Sequence, residues 1–209
     1  MNLDFIFQIA ILIFSVVIHE VSHGYAAYWL GDSTAKYQGR LNLNPLRHLD
    51  PFGSVVFPLL LYISNAGFLL GWAKPVPYNP YNLRNQRWGD AIVAAAGPLS
   101  NIAIALIFGL LLRFSYSLGL LSVSNSGVFE ITTYIVYINL LLAIFNLVPI
   151  PPLDGSKILF SALKIGWDKK RLFFEQFGIV LVVGFMFFLS PVISYIVSTL
   201  FSLITGFYF

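Results

Sequence analysis

The chain has 209 residues, 58% hydrophobic and 10% charged, with 12 Lys and Arg against 9 Asp and Glu, a net charge of +3. Soluble domains carry about 25% charged residues, so a chain with a mean hydropathy of +0.81 cannot cover a water-facing surface and reads as an integral membrane protein. The small basic excess argues against a nucleic-acid partner and marks Lys and Arg as topology determinants; the absence of cysteine excludes disulfides and thiol catalysis.

The expected fold is an all-α multi-pass membrane protein, a single membrane-embedded domain over 1–209 in contact with the lipid bilayer. A spanning helix needs roughly 20 apolar residues. The first run, about 5–30, has Asp4 and no Lys or Arg before it, so it is expected to be a retained helix and not a cleaved signal peptide. After it, Ala35, Tyr37, Gly39, Leu41 and Leu43 alternate with polar residues. Strict alternation predicts a short strand at the membrane face, whose exposed edge could hold an extended peptide by β-augmentation. The segment 52–72 is apolar but broken by Gly53, Pro58 and Asn65. Core helices are expected over about 89–113 and 128–148, and C-terminal helices over about 172–208, with 191–209 either a separate span or a kinked continuation.

The basic residues refine this layout. With the first helix running inward, a spanning 52–72 would leave Lys74, Arg84, Arg87 and the cluster Lys157, Lys164, Lys169, Lys170 and Arg171 outside. Cytoplasmic loops collect Lys and Arg. A segment that dips in and returns puts all of them inside and leaves Arg113 alone outside. The sequence therefore predicts a strand and re-entrant region over 35–88 and four to five spanning helices.

The first helix carries His19, Glu20 and His23 in H-E-V-S-H. Residues four apart on a helix are rotated by roughly 40° and separated by about 6 Å along the axis, so two imidazoles can grip one metal ion, with zinc the usual occupant. A carboxylate after the first histidine lies beside the metal and can move a proton to and from water. Packing or a proton relay is the plainer reading, but ionisable residues inside a membrane mark function. A third ligand is needed, and N-L-V-P-I-P-P-L-D-G, 146–155, offers Asp154. Its prolines end the helix, and Asp154 is either a ligand or the N-cap of a following helix. Depth favours the ligand. His19 lies 15 residues after Asp4, and Pro149 lies 15 residues after Tyr134, where the fourth run enters the membrane.

H-E-x-x-H in an early helix with a later N-x-x-P-x-P-x-L-D-G resembles the site-2 protease family (M50) of intramembrane zinc metalloproteases. The segments D-P-F-G-S, G-W-A-K-P-V-P-Y-N-P and A-A-A-G-P-L-S-N are also similar to those of its short members, which lack PDZ and CBS domains. The resemblance implies one zinc ion held by His19, His23 and Asp154, with Glu20 as the catalytic acid and base. It implies a transmembrane protein or peptide as substrate, and a cell-membrane location with the active site open to the cytoplasmic side.

Asn101, four residues after Gly97, either bridges close-packed helices or, with Asn146, contacts substrate or stabilises an oxyanion. His48 and Asp50 read as interfacial turn chemistry and not as ligands. The expected function is an intramembrane zinc endopeptidase. The alternatives are a metal or proton transporter that uses the same histidines and an inactive zinc-holding scaffold. No internal repeat of the transporter kind is visible, and an intact Glu20 argues against the scaffold.

Overall fold

The computed structural model describes residues 3–56, 60, 63, 73–119, 126–163 and 176–207. Its main helices are α1 (Leu3–Trp29), the single turn α2 (Thr34–Tyr37), α3 (Gly89–Ser117), α4 (Ser126–Asn146), the short α5 (Asp154–Ala162) and α6 (Gly178–Thr205). Short irregular helices occupy Pro45–Arg47, Pro51–Val56 and Pro80–Asn82. Four helices are long and apolar enough to cross a membrane, over Ile6–Trp29, Gly89–Ser115, Gly127–Asn146 and Phe188–Thr205. Such helices are apolar on every side, because lipid takes the place of water on the outer faces. Phe14, Leu111, Phe188 and Leu203 are exposed there. The described chain is thus a helical, multi-pass membrane protein.

The central helix α3 packs against α1, α4, α5 and α6. Its residues Val93, Gly97, Asn101 and Ala105 recur every four positions and are buried. On α1, Ser15, His19 and His23 recur in the same way and are also buried. Four-residue spacing stacks side chains along one helix face, so each helix presents one stripe inward. The small residues on the α3 stripe let the backbones approach closely. At the Ala105 end of the α3 stripe, Ala105, Val136, Leu140, Ile193, Val197 and Phe201 form a common core of α3, α4 and α6.

Two expectations meet the structure differently. The strand predicted around 35–43 is absent: Thr34–Tyr37 is a helical turn, and Gly39 follows with φ +62°. The alternation marks no buried face. Ala35 is buried, but Tyr37 and Leu43 are exposed, and Arg40 on the other register is buried. No strand is found among the described residues, so the alternating backbone has nothing to pair with. The re-entrant expectation over 52–72 falls mostly on residues outside the described ones. At the C-terminus, α6 runs unbroken through Pro191 and ends at Gly206, φ +81°. The run 191–209 therefore continues α6 and is not a separate helix over its described part. Proline is tolerated in membrane helices where neighbours re-satisfy the freed backbone groups.

Where α1 ends, one carboxylate gathers the connecting segments. Asp32 has no exposed surface and accepts hydrogen bonds from Thr34 N (3.3 Å), Thr34 Oγ1 (2.7 Å), Asn79 N (2.9 Å) and Asn82 Nδ2 (2.8 Å). Leu30 O accepts from Arg84 N at 2.8 Å beside it. Burial pushes the Asp32 carboxyl up, but the hydrogen bonds from Asn82, Thr34 and Asn79 outweigh it and hold the group below its ordinary range. A lowered folded pKa stabilises the fold above the unfolded value of about 3.9 and is lost as pH falls through the folded value. Asp32→Asn is therefore expected to destabilise the protein at neutral pH by about 1–3 kcal/mol. The gap from wild type should narrow below about pH 4, as read by thermal unfolding in detergent across pH.

Candidate metal centre

Two elements remote in sequence bring three ligand-type side chains together. His19 and His23 project from α1, and Asp154 opens α5. The connection from α4 to α5 is 147–153, which carries Pro149, Pro151 and Pro152. These prolines stop α4 from continuing, so the chain turns back before α5 begins. Leu153 takes the N-cap position, and Asp154 lies in the first helical turn, where the helix dipole favours a negative charge.

Asp154 Oδ2 lies 3.1 Å from His19 Nε2 and 3.2 Å from His23 Nε2. All three side chains are buried, and their ligand atoms lie within 4.8 Å of one another. The two imidazoles meet edge to face, 4.7 Å between centroids and 87° between planes. In a tetrahedral site with bonds of about 2.0–2.1 Å, ligand atoms sit roughly 3.3 Å apart. The carboxylate-to-imidazole spacings match that figure.

The tautomers can be worked out from fixed backbone acceptors. Val93 O can only accept, so His23 Nδ1–H donates to it at 2.7 Å, leaving the Nε2 lone pair free. His19 is reached through two side-chain amides. Asn139 Nδ2 donates to Ile135 O (2.8 Å) and Ser15 Oγ (2.9 Å), so its Oδ1 accepts from Asn101 Nδ2 at 2.7 Å. Asn101 Nδ2 also reaches Ser15 O at 3.4 Å. Asn101 Oδ1 is then the acceptor for His19 Nδ1–H at 2.6 Å. Both histidines therefore aim an Nε2 lone pair at the same point as Asp154. Hydrogen bonding of the remote ring nitrogen is what fixes a metal-binding histidine. The space is kept by Gly97, where a Cβ would come within 2.5 Å of His23 Nε2 and 2.6 Å of His19 Nε2. The donor set and its orientation fit a divalent ion.

Glu20 is on α1 beside this cluster but not part of it. Its Oε2 accepts from Val76 N at 2.9 Å. Val76 belongs to the segment 73–79, which crosses α1. Further along that segment Lys157 Nζ sits 5.2 Å from the centroid of Tyr78, and the Tyr78 hydroxyl donates to Asp90 Oδ1.

The other expected site residues are placed as follows. Asn101 has no exposed surface and engages His19 and Asn139. Asn146 ends α4 and donates from Nδ2 to Leu142 O at 2.8 Å. His48 is buried outside the cluster, with Nε2 2.8 Å from Asn42 O, and Asp50 Oδ1 accepts from Gly53 N at 2.6 Å. Asn139 and Ser15 are site residues that the sequence reading missed. Their signal was present, since a buried asparagine in an otherwise apolar membrane helix is costly.

Fold and centre together define a multi-pass membrane protein with two histidines and one carboxylate placed where they could hold a metal ion, and a second carboxylate beside them. The profile described as Peptidase family M50 matches residues 117–191. The chain is 40% identical over 187 residues to YwhC of Bacillus subtilis, named as a candidate zinc metalloprotease, covering 88% of this chain and 81% of that one. It is 27% identical over 190 residues to Rip2 of Mycobacterium tuberculosis, named in the same way, covering 91% of this chain and 69% of that one. No solved structure matches at a significant level. The chain belongs to peptidase family M50 and is a metalloprotease of that family.

Asn101→Leu removes the acceptor that sets the His19 tautomer. Affinity for a divalent metal is expected to fall roughly 10–100-fold, measured by chelator competition, while Asn146→Leu leaves it unchanged.

Proposed function

We propose that the chain is a zinc-dependent intramembrane endopeptidase that hydrolyses a peptide bond in or near a transmembrane segment of a membrane protein. The observation that carries this reading is the convergence of His19 Nε2, His23 Nε2 and Asp154 Oδ2 beside Glu20, inside a bundle whose outer faces are apolar. His19, His23 and Asp154 hold the metal. Zinc bound there supplies Lewis-acid polarisation of a carbonyl and lowers the pKa of water. Two imidazoles and one carboxylate make up the three-ligand pattern of catalytic zinc sites, and YwhC and Rip2 are both named as candidate zinc metalloproteases.

Glu20 does the proton work. With Oε2 bound to Val76 N, Oε1 takes the proton from the attacking water and delivers it to the departing nitrogen. Asn101 acts on the metal side by orienting His19. Asn146 uses one N–H on Leu142 O and offers the other to a substrate carbonyl.

The active site opens toward the cytoplasmic side of the cell membrane. That orientation places Lys36, Arg40, Arg47, Lys74, Arg84, Arg87 and Lys157 inside, in keeping with the distribution of basic residues in membrane proteins. In this reading the expected re-entrant element is 52–72, most of it outside the described residues. Its flanks are joined, since Lys74 N donates to His48 O at 2.8 Å, so the chain leaves and returns at one place. Residues 1–209 act as one membrane-embedded domain.

The test is zinc content and cleavage of a single-pass membrane substrate by wild type and Glu20→Gln. The variant is expected to keep one zinc per chain and to lose roughly 10²–10⁴-fold in turnover. Absence of cleavage by both proteins, with metal crossing the membrane instead, would favour a transporter.

A further inference from the structure

Arg40 is a buried cation with no carboxylate partner among the described residues. It is 7% exposed, and among the described residues its guanidinium makes no salt bridge and its Nε has no hydrogen-bond partner. A guanidinium is costly to bury unless it is paired. Its contacts are to main chain: Nη2 donates to Lys74 O at 2.8 Å and to Pro75 O at 3.3 Å.

The second of these carbonyls explains the arrangement. Pro75 O and Val76 N belong to one peptide unit, and in a trans peptide they point in opposite directions. Val76 N–H donates to Glu20 Oε2. A single peptide therefore has a buried cation at its oxygen and a carboxylate at its nitrogen. The peptide dipole, about 3.5 D, is favourably oriented toward both charges. Arg40 and Glu20 are paired through it without touching.

The sequence Lys74-Pro75-Val76-Pro77-Tyr78 suits this task. Proline has no N–H, so Val76 supplies the one backbone donor between Lys74 and Tyr78. A residue before proline is confined to extended backbone, which fixes the direction of that donor. The segment is tied at both ends, by Lys74 N to His48 O (2.8 Å) and by Asn79 N to Asp32 Oδ2 (2.9 Å). It also lies close on α1. One turn beyond Glu20, a Cβ on Gly24 would come within 2.8 Å of Val76 Cγ1.

We infer that Arg40 is a positioning residue for Glu20. By holding the Pro75 carbonyl it keeps the Val76 N–H on Oε2, and so keeps the other carboxylate oxygen turned toward the reacting water. The inference rests on the role proposed above for Glu20.

The experiment uses the full zinc-loaded chain in detergent with Arg40→Met, Arg40→Lys and Glu20→Gln. It measures zinc per chain, kcat and KM on a single-pass substrate, and amide hydrogen exchange of the peptide spanning 74–78. Arg40→Met is expected to keep its zinc and to lose about 100-fold in kcat with KM nearly unchanged, as a misplaced catalytic group would. Exchange at Val76 should quicken by about tenfold as that local structure loosens. Arg40→Lys, which can still reach the carbonyl, should recover most of the kcat and most of the protection. Unchanged kcat and exchange in Arg40→Met overturn the inference, and so does loss of zinc or a change confined to KM. If Arg40→Met does not fold, Arg40→Lys decides: kcat reduced 100-fold with Val76 protection intact also overturns it. Should Glu20→Gln cleave like wild type, the general-base reading fails, while the Val76 exchange still shows whether Arg40 holds the peptide.

Discussion

The structure depends on holding two buried histidines, each by a hydrogen bond at Nδ1, inside a membrane protein. A buried imidazole with a free ring nitrogen is a cost that only a partner can offset. Here the partners are a backbone carbonyl for His23 and an asparagine for His19. That asparagine is set by a second asparagine, which is set by the Ile135 carbonyl of its own helix. Orientation is thus passed from rigid backbone to the His19 ring through two side-chain amides. Each amide has two distinct ends, so a flip of either would turn donors against donors. The network satisfies polar groups on α1, α3 and α4 at once, which also locks the three helices in one relative rotation.

The centre is assembled from unlike parts. α1 supplies two ligands with a spacing that helical geometry fixes before any tertiary contact forms. Asp154 comes from a short helix after a proline-rich turn, and its place depends on α3, against which α5 packs. Glu20 is steadied by a backbone N–H from a connecting segment. α3 serves all of these. It carries the Val93 carbonyl, the gap left by Gly97 and the Asn101 amide along one stripe, four residues apart.

How much could be read in the sequence follows from where each constraint is written. His19, Glu20 and His23 were legible because a helix fixes the relation of neighbours four apart. Asp154 stood out because three prolines within four residues stop α4, whereas the single prolines Pro98 and Pro191 leave their helices unbroken. The strand over 35–43 was misread because alternation predicts a strand only when one register is buried, and here Tyr37 and Leu43 are exposed while Arg40 is not. Asn139 lies in the fourth apolar run with no motif around it, and its role follows from a neighbour 38 residues away. The donor to Glu20 could not be named from side chains at all, since it is a main-chain N–H. Only the flanking Pro75 and Pro77 hint that this position has a single hydrogen to give. Pro191 left the last helix ambiguous, because a proline in a membrane helix can kink or end it and composition does not say which.

Tyr78 joins two halves of the site that have no covalent reason to move together. Its ring lies under Lys157 of α5, one turn beyond Asp154, and its backbone is the end of the strip that steadies Glu20. That ring therefore links the strip at 73–79, which holds Glu20 through Val76 N, to the helix that begins at Asp154.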